Sequence, residues 1–449
     1  MSKCQSRAIS ECKNMLGNSY KNHRFYSEGE AKVEIEKRSL LWKQLKTSCN
    51  FIKNNNKIHY GELSPGCLNC VEGRWTCLFV GGICPNGCYF CPIPQNEERA
   101  PNADGIEFNN VQNFISYLKK IGTKGVSFSG GEPFRYLDIV KEYCTAIRKE
   151  FSSSMYIWCY TSGLLVTEEA LKVLKDAGLD ELRFNIAAFD YDLSKVSMAR
   201  KYIPKITVEI PAIPEDYLKL QTLIKDLVLI GVDHLNLHEM NITNCNEKEM
   251  SLRKYKINRL DVGCTIFESE MTILKLMDYA AKNNIKMPIN SCKFFYKDRI
   301  TTTSKHMIAA NLLELSGWEE ITRLGLIRSV GLFLSKKDMN IIKKMNISKD
   351  TLFDKQQGVL LASPQIIFDI LNSNRTIVPN LGVAYTVAII DHSNHKKNEF
   401  TAERFQYTDM IDLTIKDLKK LVEKKYDQIK NSDIRELEVV TDGLSDPIT

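Results

Sequence analysis

Three cysteines stand within eight positions in "CPNGCYFCPIPQ", residues 84 to 95, with Phe90 just before the last of them. Cys84, Cys88 and Cys91 are soft ligands at a spacing that wraps one short loop around a metal centre, and Gly87 lets the backbone turn inside it. Tetrahedral zinc takes four closed ligands and a [4Fe-4S] cube takes one per iron, so three cysteines leave a position vacant. A vacancy is the mark of a site that binds a substrate or cofactor. On the three cysteines alone, a zinc knuckle with a fourth ligand from elsewhere competes with this reading. Thirty-eight residues after Cys91, the apolar run "GVSF" leads into Ser129, Gly130, Gly131, Glu132 and Pro133. This "SGGEP" falls at the C-terminal end of an expected strand, where α/β proteins place ligands. Paired glycines there allow a ligand close to bare backbone, and the Glu132 carboxylate suits an ammonium group.

A second cysteine set lies upstream in "SPGCLNCVEGRWTC": Cys67, Cys70 and Cys77. A far strand, "KMPINSC", brings Cys292 to the same rim if the strands run in sequence order. We expect an auxiliary Fe–S cluster on Cys67, Cys70, Cys77 and Cys292; a structural zinc on the same residues, and an unmetallated set, stay open. Arg183 and Glu209 interrupt otherwise apolar strands, and buried charges need partners, so an inward Arg183 is expected to hold a substrate carboxylate. In "LNLHEMN", His238 and Glu239 alternate, so one faces inward and the other the surrounding helices. Either is a candidate to bind substrate or act on a proton; the plainer reading is a satisfied interior histidine. Cys159, beside Trp158, reads as buried filler rather than a hydrogen-atom donor. Cys4, Cys12, Cys49, Cys144 and Cys245 read as ordinary residues, and Cys264 has no assigned place.

The elements that must position these groups are strands and amphipathic helices in alternation from 105 to about 292. After a first strand at Thr76–Val80, the apolar runs begin at 125, 155, 181, 205, 234 and 286. Six or seven parallel strands are too few for a closed eight-stranded barrel. An open or partial barrel fits better than a doubly wound sheet, though periodicity alone does not separate them. Residues 1–60 read as a helical arm ending in an Asn-rich loop, Asn54 to Asn56, and 61–300 as the core with its Cys-rich opening segment. Beyond "TTTSK" at 301–305 the rhythm breaks. A second domain, 305–449, is expected to be smaller and mainly helical, with strands near 330 and 383 and a lysine-rich helix from about 413 to 430.

Composition sets the outer bounds. The chain has 449 residues, 43% hydrophobic and 26% charged, and its 61 Lys and Arg against 55 Asp and Glu leave +6, too little to argue for a nucleic acid. No signal peptide or membrane-spanning run stands out, so a cytosolic protein is expected. In that compartment 14 cysteines rarely pair as disulfides and read instead as metal ligands or buried apolar side chains.

"CPNGCYFC" followed by a strand and "SGGEP" resembles the radical S-adenosylmethionine superfamily, and "GLDELRFNIAAFDY", "VEIPAIPED" and "LNLHEMN" resemble its branch related to pyruvate formate-lyase activating enzyme. The resemblance spans roughly residues 60 to 300. It implies an α/β fold with a partial (β/α)6 TIM-type barrel, and a [4Fe-4S] cluster on Cys84, Cys88 and Cys91 whose open iron chelates the amino and carboxylate groups of S-adenosylmethionine. It also implies the amino group on the GGEP segment and polar contacts to the ribose at the strand end of "YIWCYTSG". Thr161 and Ser162 are candidates there, the alternative being that they cap the next helix. Phe90 and Glu209 are placed with the cofactor. An oxygen-sensitive enzyme is expected, with an electron donor of flavodoxin or ferredoxin type and a peptide or protein substrate. Activation of a glycyl-radical enzyme and RNA modification are the neighbouring readings. The rival from another class is a non-catalytic zinc or Fe–S protein that binds nucleic acid. It has no use for SGGEP at a strand end.

Overall fold

The computed structural model describes residues 3–53, 55, 57–260, 263–345, 350–391 and 400–439. Asn54 and Asn56 of the expected loop, and the last part of the expected second domain, lie outside the described residues. The chain forms two compact units, one ending at Ile300 and the other beginning at Thr301.

The first unit is built on seven parallel strands: β1 (Trp75–Phe79), β2 (Gly125–Ser129), β3 (Tyr156–Thr161), β4 (Glu181–Phe184), β5 (Lys205–Pro211), β6 (His234–His238) and β7 (Ile289–Cys292). Each pairs with the next in chain order, so the strand order never reverses. A doubly wound sheet reverses at a switch point; an unbroken progression is the barrel arrangement. A helix follows each of β1 to β6: Val111–Ile121, Leu137–Phe151, Glu168–Asp176, Ser194–Ala199, Tyr217–Leu229 and Phe267–Lys282. The result is six βα units and a seventh strand. Antiparallel strands Lys57–Tyr60 and Asn50–Ile52 extend the sheet beyond β7, and Asn102–Ala103 and Ile106–Glu107 extend it beyond β1. With paired strands added outward at both edges, the sheet stays open.

Alternation along these strands gives the two faces opposite chemistry. Val126, Phe128, Ile157, Leu182, Ile206, Val208 and Leu237 are buried between sheet and helices, and each such side chain contributes about 1.5–3 kcal/mol. Cys159 shares this helix-facing side at 0% exposure, as expected of filler. The other face carries Ser127, Glu181, Arg183, Thr207, Glu209, Asn236 and Asn290, all buried. The apolar core is therefore the outer shell, and the barrel interior is polar.

Between β6 and the helix Phe267–Lys282, the chain inserts three short strands that form a second sheet with Arg24–Phe25. Here one expectation is corrected: Cys12, on the helix Lys3–Leu16, is bonded to Cys264 on the strand Gly263–Ile266, with Cα atoms 5.7 Å apart. Packing of the first helix on this small sheet, 252 residues away in sequence, brings the two sulfurs together. The helix Glu28–Leu45 opens on a capping box of Ser27 and Glu30 and sends Arg38 to Glu270 at 3.3 Å. The expected helical arm is thus packed against the barrel helix Phe267–Lys282.

The second unit is not mainly helical. Seven antiparallel strands form its sheet, dominated by Leu326–Phe333 and Leu381–Asp391, with helices such as Pro364–Ser373 and Ile415–Val422 packed on a core of Val330, Leu332, Leu360, Val383 and Tyr385. Short strands such as Leu352–Asp354 and Val359–Ala362 leave little period-two signal, which is why the sheet is hard to see in sequence. The lysine-rich helix is shorter than expected, ending at Val422, and Lys424 then takes φ 56. Lys419, Lys420 and Lys425 share Glu423, which lowers the free charge of that surface.

Candidate active site

The cysteine loop and SGGEP are tied together by backbone. β1 runs on so that Val80 N–H donates to Ser129 O at 2.9 Å, Gly131 N–H to Gly81 O at 2.9 Å and Glu132 N–H to Ile83 O at 2.9 Å. A Cβ at Gly131 would lie 2.1 Å from Ile83 O, and one at Gly130, where φ is +118°, would lie 2.4 Å from Gly81 O. The close approach that these glycines permit is that of the chain's own 81–83 segment, not of a ligand as expected. From there the loop is pinned by Ile83 N–H on Tyr136 Oη (3.0 Å) and Cys84 N–H on Gln95 O (2.8 Å), and Gly87 turns at φ 61. The geometry explains why the two motifs occur together: one holds the other at the C-terminal ends of β1 and β2.

The three thiols lie partly exposed on this loop and act on one another. Burial, with Cys91 and Cys84 adding to it, pushes Cys88 up to about 12, and Cys84 and Cys91 are also raised, chiefly by burial. Among the described residues no three His, Cys, Asp or Glu side chains are placed to share one metal ion. A cube that takes each thiolate on a different iron makes no such demand. The donor set therefore fits a [4Fe-4S] cluster, whose binding would release the thiol protons.

Glu132 is buried, and its carboxylate is filled by the protein. Oε1 accepts from Thr161 Oγ1 (2.8 Å) and Phe134 N–H (3.2 Å); Oε2 accepts from Ser162 Oγ (2.6 Å) and Ser162 N–H (2.8 Å). Four donors occupy the four lone-pair positions of a carboxylate. Thr161 and Ser162 thus face Glu132 rather than a ribose. They do not cap the next helix either, since Thr167 does so through Ala170 N–H. Glu132 braces the end of β2 against the end of β3.

Inside the barrel, Arg183 is enclosed by charge. Its Nε donates to Glu181 Oε1 at 2.8 Å, Nη1 to Glu209 Oε2 at 2.9 Å and Nη2 to Ser64 Oγ at 3.1 Å, while Trp158 lies under the guanidinium at 4.9 Å. The expected substrate carboxylate has no place here: Glu181 and Glu209 already balance the arginine. Glu209 also accepts from Asn236 Nδ2 at 2.7 Å and meets His238 Nε2 at 2.5 Å. Burial pushes Glu209 up, but His238, Arg183 and Lys297 outweigh it and hold the carboxyl well below its ordinary value. Burial likewise lowers His238, while Cys292 and Glu209 overcome it and raise the imidazole to about 9. His238 faces inward and is partly exposed; Glu239 turns to the helix side, where Oε2 accepts Phe294 N–H at 3.0 Å near the buried Glu270 and Lys293. Glu239 is therefore outside the barrel interior, away from the substrate side where the sequence placed it as a candidate. Glu209 is a partner of Arg183 and His238.

The upstream cysteines also converge on the interior. The helix Pro65–Val71 lies inside the open barrel, where a Cβ at Gly66 would touch Arg183, Glu181 and Trp158. Asn236 Nδ2 and Asn290 Nδ2 stand 3.4 and 3.3 Å from Cys67 Sγ, and Cys292 pairs in register with His238 on the neighbouring strand. Lys297 acts on Cys292, Cys70 and Cys77 alike. Phe90 lines a cleft of about 490 Å³ beside the cysteine loop, with Cys88, Ala187, Tyr191, Ile213 and Arg253. Several interior residues were missed in the sequence: Glu181, Asn236, Asn290, Lys57 and Lys297. For the first three the signal was present, since each lies two positions before Arg183, His238 or Cys292 on one strand face.

The family model described as the radical SAM superfamily matches residues 78–213. A protein of Methanocaldococcus jannaschii named "Putative glycyl-radical enzyme activating enzyme" is 30% identical over 340 residues, covering 72% of this chain and 83% of that protein. A PqqA peptide cyclase of Gluconobacter oxydans is 32% identical over 103 residues, which is 23% of this chain and 27% of the cyclase. This second match spans about a quarter of the relative's length. Among solved structures, Streptococcus suis SuiB bound to S-adenosylmethionine aligns over 64% of this chain and 60% of its own, at 13% identity and a TM-score of 0.37, a likeness too slight to add to the fold described above. With the cysteine loop locked to SGGEP at the strand ends and a relative matched over most of both chains, this chain belongs to the radical S-adenosylmethionine superfamily, in the branch related to pyruvate formate-lyase activating enzyme, and is an enzyme whose cofactors are a [4Fe-4S] cluster and S-adenosylmethionine.

Proposed function

We propose that the enzyme abstracts a hydrogen atom from a peptide or protein, taking its electron from a flavodoxin- or ferredoxin-type donor. The observation that carries this reading is the open barrel with the cysteine loop at its mouth and the 490 Å³ cleft beside it, a site accessible to an extended chain. The relatives named as a glycyl-radical enzyme activating enzyme and a peptide cyclase support the substrate class. Cys84, Cys88 and Cys91 would hold the cluster, which would supply the single electron needed for reductive cleavage of S-adenosylmethionine and so the radical chemistry of hydrogen abstraction.

The chain's own residues position and shield. Glu132, Thr161 and Ser162 fix the ends of β2 and β3. Tyr136 and Gln95 hold the loop. Glu209 orients His238, whose partly exposed imidazole is the inward group able to hold or donate a proton at Nε2 or Nδ1. Arg183, neutralised by Glu181 and Glu209, keeps that carboxylate in place.

The test is anaerobic. Reconstituted enzyme, dithionite and S-adenosylmethionine are incubated with fully deuterated tryptic peptides or with deuterated RNA. Deuterium in 5'-deoxyadenosine from the peptides supports the reading. Label arriving only from RNA replaces it with RNA modification, and absence of 5'-deoxyadenosine altogether rejects the reaction.

A further inference from the structure

We propose that Cys67, Cys70, Cys77 and Cys292 hold a second, fully thiolate-ligated iron–sulfur cluster inside the barrel, distinct from the cluster on the 84–91 loop. Sequence spacing raises the set; the structure supplies its surroundings. Cys67 and Cys70 come from the helix lying within the barrel, Cys77 from the inward face of β1, and Cys292 from the end of β7. Cys292 and Cys67 act electrostatically on Cys70, and Lys297 lies within the field of Cys292, Glu209, Cys70 and Cys77, so three thiols from three elements face one ammonium group and the fourth lies beside Cys70.

Lys57 is 3% exposed, with Nζ on Ser291 O at 2.8 Å and over the Tyr296 ring at 5.0 Å. Lys297 lies over the Trp75 ring at 5.5 Å. Among the described residues neither lysine makes an ion pair with a carboxylate. A buried cation needs an anion: the thiols are placed to supply one to buried Lys57, and the thiols together with Glu209 to half-buried Lys297. A cluster bearing four thiolates is net negative, and the two lysines answer that charge. The same surroundings donate hydrogen bonds to sulfur: Asn236 and Asn290 to Cys67, and His238 beside Cys292. Such donors hold thiolate ligands and set a cluster's potential.

A protein thiolate on every iron leaves no vacancy. This cluster therefore passes electrons and does not bind S-adenosylmethionine. The proposal does not depend on the reading of the 84–91 loop, and the experiment separates the two.

Anaerobically reconstituted wild-type protein is expected to hold about eight irons and eight sulfides per chain, twice the content of one cube. The Cys84→Ala/Cys88→Ala/Cys91→Ala variant is expected to keep about half of each, with a reduced-state EPR signal that S-adenosylmethionine does not alter. Cys67→Ser/Cys70→Ser/Cys292→Ser is expected to keep the signal that S-adenosylmethionine does alter. The proposal is overturned by wild type saturating near four irons, by a Cys84/Cys88/Cys91 variant without iron–sulfur absorption, or by one tightly bound zinc per chain in place of the second cluster. The wild-type count stands even if a variant fails to fold.

Discussion

Arg183→Met tests the electrostatic organisation of the barrel interior. Arg183 and Glu181 are 3% and 0% exposed, and Glu209 is 8% exposed, so solvent screens none of the three appreciably. Removing the guanidinium leaves two carboxylates in a space that holds no water-like replacement for it. Breaking one side of a buried ion pair costs about 3–5 kcal/mol, and at a urea slope of about 3 kcal/mol per molar the unfolding midpoint of this unit falls by about 1–1.7 M. Glu209 keeps His238 and Asn236 after the change, whereas Glu181 loses its one cation and keeps neutral partners such as Thr207 Oγ1 at 2.6 Å. The double variant Arg183→Met/Glu181→Gln should therefore recover more than half the loss. The assay is urea unfolding followed by tryptophan fluorescence, since Trp158 lies against the guanidinium, with 5'-deoxyadenosine formation measured per folded protein. A single variant within about 0.5 kcal/mol of wild type, or a double variant as damaged as the single, refutes this account of the interior. Normal stability with lost turnover would return Arg183 to a substrate role.

Three other outcomes follow from the same geometry. Gly131→Ala sets a Cβ against Ile83 O and should displace the cysteine loop, cutting iron bound at Cys84, Cys88 and Cys91 severalfold with the thermal unfolding of the rest little changed; full iron uptake contradicts the backbone-lock argument. Ser162→Ala removes one hydroxyl bond to a carboxylate, about 1.5–3 kcal/mol, and should weaken S-adenosylmethionine binding by about tenfold or more through a loosened Glu132, a shift readable by equilibrium titration; unchanged affinity means that the brace is not needed. In the second unit, Arg328→Met strips Glu438 of a partner 2.6 Å away and should cost about 3–5 kcal/mol. Burial already raises the Glu438 carboxyl, with Arg328 and Tyr385 opposing it, and losing Arg328 raises it further. A carboxyl raised in the folded state loses stability as pH climbs from the unfolded value through the folded one, because the unfolded chain ionises first. The deficit should thus be larger at about pH 8 than at about pH 5, and the reverse order in unfolding midpoints contradicts it.

The local code was legible wherever a residue's role depends on its near neighbours. Cys84, Cys88 and Cys91 announce a metal loop by spacing, SGGEP marks a strand end, and the seven barrel strands follow from apolar runs whose period is set by backbone geometry. What sequence leaves open is which polar group meets which. Glu132 could face a ligand or the protein until folding set the end of β3 beside it and gave its four lone-pair positions to Thr161, Ser162 and Phe134. Arg183 could await a substrate until β4 and β5 aligned it with Glu181 and Glu209. The pairing of Cys12 with Cys264, and the meeting of Lys57 and Lys297 with four thiols, depend on elements far apart in the chain. A buried charge takes its partner from whatever the fold brings within a few ångströms, and that distance is a property of the packed sheet rather than of any stretch of residues.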